Sequence, residues 1–126
     1  MDNNATKHPN VLVVEDDPGY QRILEIYIHR AGGSCDCLFD GKSALDTIAK
    51  NHYDLVFLDL HIPGLDGIML AKLLREKGCN TPLIAVTALK LESLERHALE
   101  VGFNEFFQKP ITETEISSLF EKYCCD

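Results

Sequence analysis

The stretch Leu55-Val56-Phe57-Leu58-Asp59 places four consecutive apolar residues directly before an aspartate. Other segments repeat this arrangement, with an apolar run followed by a polar side chain that can take part in chemistry. They are residues 11–14 before Glu15 and Asp16, residues 83–86 before Thr87, and residues 106–107 before Lys109. Apolar runs of about four residues are typical of buried strands in a parallel sheet. Because function gathers at the carboxyl ends of such strands, we expect these polar side chains to meet at one sheet edge.

Helix signals separate the apolar runs. N-caps are expected at Asp17 before Pro18, at Asp40 and at Asp66, and residues 112–115 have the capping-box pattern. Glycines at 32–33, 78 and 102 are typical helix ends. The first helix carries an apolar stripe formed by Tyr20, Ile23, Leu24, Tyr27, Ile28 and Ala31. Residues 34–39 alternate between polar and apolar, as an edge strand does. The sequence therefore predicts five β–α repeats in an α/β fold.

Composition limits the classes of function. A chain of 126 residues suits one domain, and its formal charge of −8 argues against a nucleic-acid-binding surface. Residues 1–9 are polar and lack the apolar core of a signal peptide, so we expect a flexible arm at 1–9 and a domain at 10–126. No apolar stretch is long enough to span a bilayer. No linker follows the fifth helix, which favours a stand-alone domain, although a segment of a larger hybrid kinase remains the alternative.

The five cysteines show no spacing of a disulfide framework or a zinc site, which favours a cytoplasmic setting. Cys35 and Cys37 are expected on one side of an alternating strand, and Cys124 and Cys125 lie together near the end of the sequence. A redox role for the terminal pair is open, but packing is the preferred interpretation.

Glu15, Asp16 and Asp59 form an acidic cluster at the predicted sheet edge. Two like charges about 4 Å apart repel by about 4 kcal/mol at an effective dielectric near 20, so the cluster needs a counter-charge. Oxygen ligands select a hard cation, and Mg²⁺ fits carboxylates combined with waters and a phosphate oxygen. A carboxylate nucleophile can form an acyl phosphate, whose charge Mg²⁺ and Lys109 would neutralise. For Asp17 an N-cap is the preferred interpretation.

The chain resembles the response-regulator receiver domain of two-component signalling through VLVVEDDP (11–18), DLVFLDLHIPGLDG (54–67), PLIAVTA (82–88) and FFQKP (106–110). The resemblance implies a flavodoxin-like, doubly wound fold with a five-stranded parallel sheet of order 2-1-3-4-5 and five helices. It also implies that Asp59 accepts a phosphoryl group from a histidine kinase or a histidine phosphotransfer protein. The domain would then catalyse only its own phosphorylation and dephosphorylation.

The same resemblance implies roles for individual residues. Asp16, Asp59 and the backbone carbonyl of His61 would bind Mg²⁺, with Mn²⁺ as the alternative, and Glu15 would act largely through water. Thr87 and Lys109 would contact the phosphoryl group, and the peptide before Pro110 would be cis. In the family, an aromatic residue three positions before the lysine changes rotamer when the threonine moves inward. Phe106 holds that place here but lacks a hydroxyl, and a phenylalanine that only packs in the core is the alternative. A downstream protein would bind the face of helix 4, strand 5 and helix 5 of a monomer or weak homodimer, with no membrane partner.

Three further residues carry expectations. His61 and Leu89, two positions after Asp59 and Thr87, would tune the lifetime of the phosphorylated form, and an exposed loop histidine is the alternative. Unchanged dephosphorylation rates in His61→Ala and Leu89→Ala would contradict that role. Ile26 lies off the apolar stripe of the first helix. The resemblance implies that this helix docks against the phosphoryl donor and that Ile26 would contact it, although scattered exposed apolar residues are normal.

A Mg²⁺-dependent phosphohydrolase with Asp59 as nucleophile is the competing interpretation from the enzyme class. Haloacid-dehalogenase-like sites of that kind usually carry a second aspartate two residues after the nucleophile. This chain has His61 there and shows no substrate-capping insertion. Turnover of a small phosphate ester would distinguish the two, because a receiver domain should show almost none.

Overall fold

In the computed structural model, which describes residues 8–88 and 92–124, strands and helices alternate along the chain. The elements are β1 (Asn10–Val14), α1 (Pro18–Arg30), β2 (Ser34–Leu38), α2 (Gly41–Lys50), β3 (Leu55–Leu58), α3 (Gly67–Glu76), β4 (Leu83–Thr87), α4 (Glu92–Val101), β5 (Glu105–Gln108) and α5 (Glu113–Tyr123). The predicted five β–α repeats are confirmed. β2 ends one residue earlier than its alternating pattern suggested, because Phe39 is already in the turn before α2 and is 50% exposed.

The strands form one parallel sheet in the order β2-β1-β3-β4-β5. This confirms the fold that the resemblance implied. Val14 pairs with Leu58 across β1 and β3, and Thr87 pairs with Gln108 across β4 and β5. The register therefore brings the residues that follow the strands to the same sheet edge.

Alternation along the central strands divides the core into two layers. Leu12, Val56 and Leu58 face the cluster that includes α2, α3 and α4 side chains. Val11, Val13 and Phe57 face the opposite cluster, which includes side chains of α1 and α5. Because both faces are covered, the central strands consist almost entirely of buried apolar residues.

The predicted N-caps are all present. Asp17, Asp40 and Asp66 each accept a backbone N–H bond in the first turn of their helix, and Thr112 forms a capping box with Glu115. Each cap satisfies backbone donors that have no partner within the helix, which fixes where the helix begins. The helices therefore start close to the ends of the strands that precede them.

Two glycines allow the loop after Asp59 to pack closely. A Cβ atom at Gly41 would lie 2.0 Å from the carbonyl oxygen of Leu65, and one at Gly67 would lie 2.9 Å from the carbonyl oxygen of Asp59. Both contacts are with backbone atoms, which cannot move aside as a flexible side chain can. The loop between β3 and α3 is therefore held against the end of β3.

At the start of the described chain, Pro9 is buried and its carbonyl accepts the N–H of Ser34 at 2.8 Å. Pro9, the last residue of the arm expected at 1–9, therefore packs against the domain. Within residues 8–88 and 92–124, every helix is too short or too polar to span a membrane.

Candidate functional site

Three carboxylates lie together at the carboxyl edge of the sheet. Glu15 and Asp59 follow the neighbouring strands β1 and β3 directly, and Asp16 is the next residue along the β1 loop. One carboxylate oxygen from each of the three lies within 4.8 Å of the others. Glu15 and Asp59 are buried, whereas Asp16 is exposed. The cluster is therefore enclosed on the protein side and open to solvent on the Asp16 side.

Lys109 supplies the positive charge at this cluster. Its Nζ atom lies 2.8 Å from Oε1 of Glu15 and donates a hydrogen bond of 3.1 Å to Oδ2 of Asp59. Burial acts to lower the pKa of Lys109, but the hydrogen bonds to Glu15 and Asp59 outweigh it and raise that pKa. Burial raises the pKa of Glu15, and the hydrogen bond from Lys109 opposes this effect. A single ammonium group thus forms ion pairs with two buried carboxylates.

Backbone donors fix the orientation of both buried carboxylates. The N–H of His61 donates to Oδ1 of Asp59 at 3.0 Å, and the N–H of Asp17 donates to Oε2 of Glu15 at 3.1 Å. The N–H of Asp59 itself donates to the carbonyl of Val14. Asp59 is therefore held from both its backbone and its side chain, with one carboxylate oxygen on His61 and the other on Lys109.

The donor set fits a hard divalent cation. The candidate side-chain ligands among the described residues are carboxylate oxygens, and the expected backbone ligand is the carbonyl of His61. All of these donors are oxygens, which Mg²⁺ and Ca²⁺ prefer to softer donors. Mg²⁺ keeps several waters when it binds a protein, and the exposed side at Asp16 leaves room for them. Glu15, Asp16 and Asp59 are thus the residues that could hold a metal ion.

Two further residues that the sequence singled out, Thr87 and Phe106, lie on the strands β4 and β5. Thr87 is fully buried at the end of β4, and its carbonyl accepts the N–H of Lys109 at 2.8 Å. Phe106 is half-buried on β5, pairs with Ala85 and packs against the core layer that includes α4. The peptide between Lys109 and Pro110 is cis, as the resemblance implied.

Two predictions concern more peripheral positions. The side chain of His61 is exposed in the loop after β3, and Ile26 is 38% exposed on α1. Leu89 lies outside the described residues. The sequence thus brings Asp16, Asp59, Glu15 and Lys109 together in one cluster, while Ile26 lies on a separate outer surface of α1.

Sequence reasoning missed two α1 side chains that support the site. The ring centroid of Tyr20 lies 4.6 Å from Nζ of Lys109, and its hydroxyl accepts the N–H of Ile111 at 3.0 Å. Buried Gln21 donates through Nε2 to the carbonyls of Glu15 and Leu38. Tyr20 therefore contacts the lysine and the chain just beyond it, and Gln21 holds the acidic loop.

The helical stripe predicted for α1 was wrong at one position. Ile23 was placed on the buried face, but it is 43% exposed, and Gln21 is buried in its place with Leu24 and Ile28. The only sequence feature that indicated this difference was Gln21, a polar residue three positions before Leu24 and thus on the same side of the helix.

Over most of its length the chain is similar to sequences of two-component signalling proteins. The sequence model described as "Response regulator receiver domain" matches residues 11–121. The sensor histidine kinase RcsC of Escherichia coli K12 is 34% identical over 113 residues, which are 90% of this chain and 12% of that kinase. The chain therefore spans only a small part of that relative.

Two further relatives match over most of their own length. Two-component response regulator 24 of Arabidopsis thaliana is 32% identical over 123 residues, covering 97% of this chain and 88% of the regulator. The receiver domain of sensor histidine kinase PA1611 from Pseudomonas aeruginosa PAO1 has a TM-score of 0.84 and 28% identity, covering 93% of this chain and 98% of that domain. That structure has a magnesium ion coordinated in its active site cleft.

Proposed function

Because the chain belongs to the response regulator receiver domain family of two-component signalling, we propose that Asp59 accepts a phosphoryl group from a phosphohistidine. The donor is a histidine kinase or a histidine phosphotransfer protein. The observation that carries this proposal is the placement of Asp59 at the end of β3, with its Oδ2 3.1 Å from Nζ of Lys109 and within a group of three carboxylates.

The transfer forms one bond and breaks another. A carboxylate oxygen of Asp59 attacks phosphorus in line, and the bond from phosphorus to the donor's imidazole nitrogen breaks with its electron pair passing to that nitrogen. The product is an acyl phosphate on Asp59. Asp16, Asp59 and the backbone carbonyl of His61 would hold Mg²⁺, with Glu15 acting largely through water, and the ion would neutralise charge on the phosphoryl oxygens.

Lys109 has to change partners during this step. In the structure it pairs with both Glu15 and Asp59. When Asp59 becomes an acyl phosphate, its carboxylate charge is lost and the phosphoryl oxygens carry negative charge instead. The ammonium of Lys109 then pairs with a phosphoryl oxygen, and the hydroxyl of Thr87 donates to another.

We infer that this change is passed on through β4 and β5. Thr87 and Lys109 are joined by the backbone hydrogen bond between the two strands, and Phe106 lies on β5 three residues before Lys109. On the outer side of β5, Glu105 accepts hydrogen bonds from Lys122 and Tyr123 of α5. A shift at the strand ends can therefore bias the face of α4, β5 and α5 towards binding a downstream protein.

The test of the function is the intact mass of the protein after incubation with acetyl phosphate and Mg²⁺. We expect the mass to rise by one phosphoryl group per chain, and to return to its starting value as the acyl phosphate hydrolyses. Removal of the cation with EDTA should abolish the increase, because charge on the transferring group is then not neutralised. Repeated turnover of a generic phosphate ester would instead support the phosphohydrolase interpretation.

We predict that Tyr20 positions Lys109 for this reaction. Tyr20→Leu removes the aromatic ring beneath the ammonium, and a cation–π contact contributes about 1 kcal/mol, so acetyl phosphate uptake should slow about fivefold. Tyr20→Phe keeps the ring and loses only the acceptor for Ile111, so most of the rate should return. The pKa of Lys109, followed by NMR of its side-chain nitrogen, should change in Tyr20→Leu and recover in Tyr20→Phe.

Tyr27→Leu is the matched control, because Tyr27 is also a half-buried tyrosine of α1 and packs on the same core layer. It should leave the uptake rate and the pKa of Lys109 unchanged. Equal rates in Tyr20→Leu and Tyr27→Leu would show that the ring does not position the lysine.

We also propose that Ile26 contributes to the surface that binds the phosphoryl donor. Ile26→Asp places a charge on an exposed apolar patch of α1, so transfer from the protein donor should slow at least about tenfold. Uptake from acetyl phosphate should not change, because Ile26 lies roughly 13 Å along α1 from the N-cap Asp17, which borders the acidic cluster. Leu99→Asp, at a similarly exposed leucine of α4, should leave donor transfer intact, and equal effects of the two changes would contradict the assignment.

A further inference from the structure

Two cysteines on the edge strand β2 form a pair of facing thiols. The Sγ atoms of Cys35 and Cys37 lie 3.5 Å apart. Residues two apart in a strand point to the same face, and this face packs against the core layer that includes α1. Both cysteines are half-buried, so the pair lies at the margin of the core and not in its sealed interior.

The number of donors decides which chemistry suits this pair. Structural zinc sites need four ligands. Among the residues that the structure describes, the only group of three or more candidate ligands is Glu15, Asp16 and Asp59. The cysteine pair therefore offers two soft sulfur donors without a third protein ligand. Sulfur donors bind soft, thiophilic atoms. Because the protein supplies only two sulfurs, the bound atom has to carry its third substituent itself.

We propose that Cys35 and Cys37 form a bidentate site for monosubstituted trivalent arsenicals, in which the third arsenic substituent is carbon. When an organoarsenic oxide reacts, two arsenic–sulfur bonds form, while the two S–H bonds and the arsenic–oxygen double bond break. The two thiol protons and the oxygen leave as one water molecule. Arsenic stays trivalent and neither sulfur is oxidised, so no oxidant is needed.

The separation of the sulfurs favours such a bridge over a disulfide. Trivalent arsenic is pyramidal, and two sulfurs bound to one centre at about 2.3 Å each with an angle of roughly 100° lie about 3.5 Å apart, which matches the observed 3.5 Å. A disulfide would bring the sulfurs to about 2.05 Å, across residues whose extended backbone spans about 6.6 Å, near the upper limit for such a bond. The bridge therefore requires little movement of β2.

The protonation state of the thiols affects the rate of the reaction and not its balance, because the thiolate is the attacking form. Burial raises the pKa of Cys35 and of Cys37. At neutral pH both sulfurs therefore carry the protons that leave in the water molecule.

The test uses the reduced 126-residue chain carrying Cys125→Ser, which removes the sequence-adjacent pair with Cys124. Equimolar phenylarsine oxide should add one phenylarsenic group and consume two thiols, as measured by intact mass and thiol titration. Excess glutathione should not remove the adduct, whereas 2,3-dimercaptopropanol should. Proteolysis followed by mass spectrometry should place the bridge within residues 35–37, and this mapping needs no further variant.

Single substitutions provide the matched comparison. Cys35→Ser and Cys37→Ser should each lose the glutathione-resistant adduct, whereas Cys79→Ser, at another half-buried cysteine, should keep it. A resistant adduct that persists in Cys35→Ser, or that maps elsewhere, would overturn the proposal, as would the absence of an adduct on the parent protein. None of these outcomes depends on phosphorylation of Asp59.

Discussion

Replacement of Asp59 by asparagine is expected to abolish phosphorylation of the protein, with at least about a thousandfold loss of uptake from acetyl phosphate. An amide has no carboxylate oxygen that can attack phosphorus and form an acyl phosphate. The change alters the shape of the side chain very little. Its single oxygen can accept either the N–H of His61 or the ammonium of Lys109, and Lys109 keeps Glu15 as its second partner. The loss should therefore be chemical, and the melting temperature should stay within a few degrees of the parent value.

Asp54→Asn is the matched control for this experiment. Asp54 directly precedes β3, whereas Asp59 directly follows it, so the two aspartates lie at opposite ends of the same strand. The Oδ2 atom of Asp54 accepts the N–H of Asn10, a bond that an asparagine oxygen can also accept. Normal uptake in Asp54→Asn and none in Asp59→Asn is the expected pair of results. If Asp59→Asn still gained one phosphoryl group, the acceptor would be a different side chain.

The positions of the acidic residues could be predicted because strand ends are local features. Four apolar residues before Asp59, and four before Glu15, mark where each strand stops. Parallel topology then brings those ends to one edge, and the N-cap at Asp17 fixes the start of α1. The order of the strands could not be predicted in this way, because the hydrophobic period of a sequence does not indicate which strands are neighbours in the sheet. That order came from the resemblance to a family.

The roles of side chains within the site depend on tertiary reach, which spacing alone does not give. The role of Glu15 towards a metal through water stays a prediction. What its position in the sequence does not indicate is the ion pair that its side chain, 2% exposed, forms with Lys109, 94 positions later in the chain. Tyr20 was assigned only to an apolar stripe, because a tyrosine on a helix gives no indication that its ring lies against a lysine of another element. These contacts form only when α1 and the loop after β5 pack against the same sheet edge.

Arg75 shows the same limit at the opposite end of the molecule. In the sequence it is a basic residue in the last turn of a helix. In the structure its guanidinium donates to the carbonyls of Gly102, Cys79 and Thr81 and to Oδ1 of Asn104, at distances from 2.8 to 3.1 Å. The same oxygen of Asn104 accepts the N–H of Leu83. One side chain thus ties the end of α3 to the segments that precede β4 and β5.

Arg75→Met is expected to lower the free energy of unfolding by about 2 to 4 kcal/mol, because several partly buried acceptors lose their donor together. Urea unfolding followed by circular dichroism measures the change. Arg75→Lys should recover only part of the loss, since one ammonium cannot reach acceptors that lie around a planar guanidinium. Arg22→Met removes an exposed pair with Glu25 and should cost no more than about 0.5 kcal/mol.

The location of Arg75 separates this effect from the chemistry at Asp59. The acceptors of Arg75 precede β4 and β5, whereas Thr87 is the last residue of β4 and Lys109 follows β5, so about a full strand length lies between the two sets. Under conditions in which Arg75→Met remains folded, acetyl phosphate uptake per folded molecule should therefore match that of the parent protein. An unchanged unfolding free energy would show that the hydrogen bonds of Arg75 contribute nothing net. A lower uptake in the folded variant would instead show that the two ends of β4 and β5 are coupled.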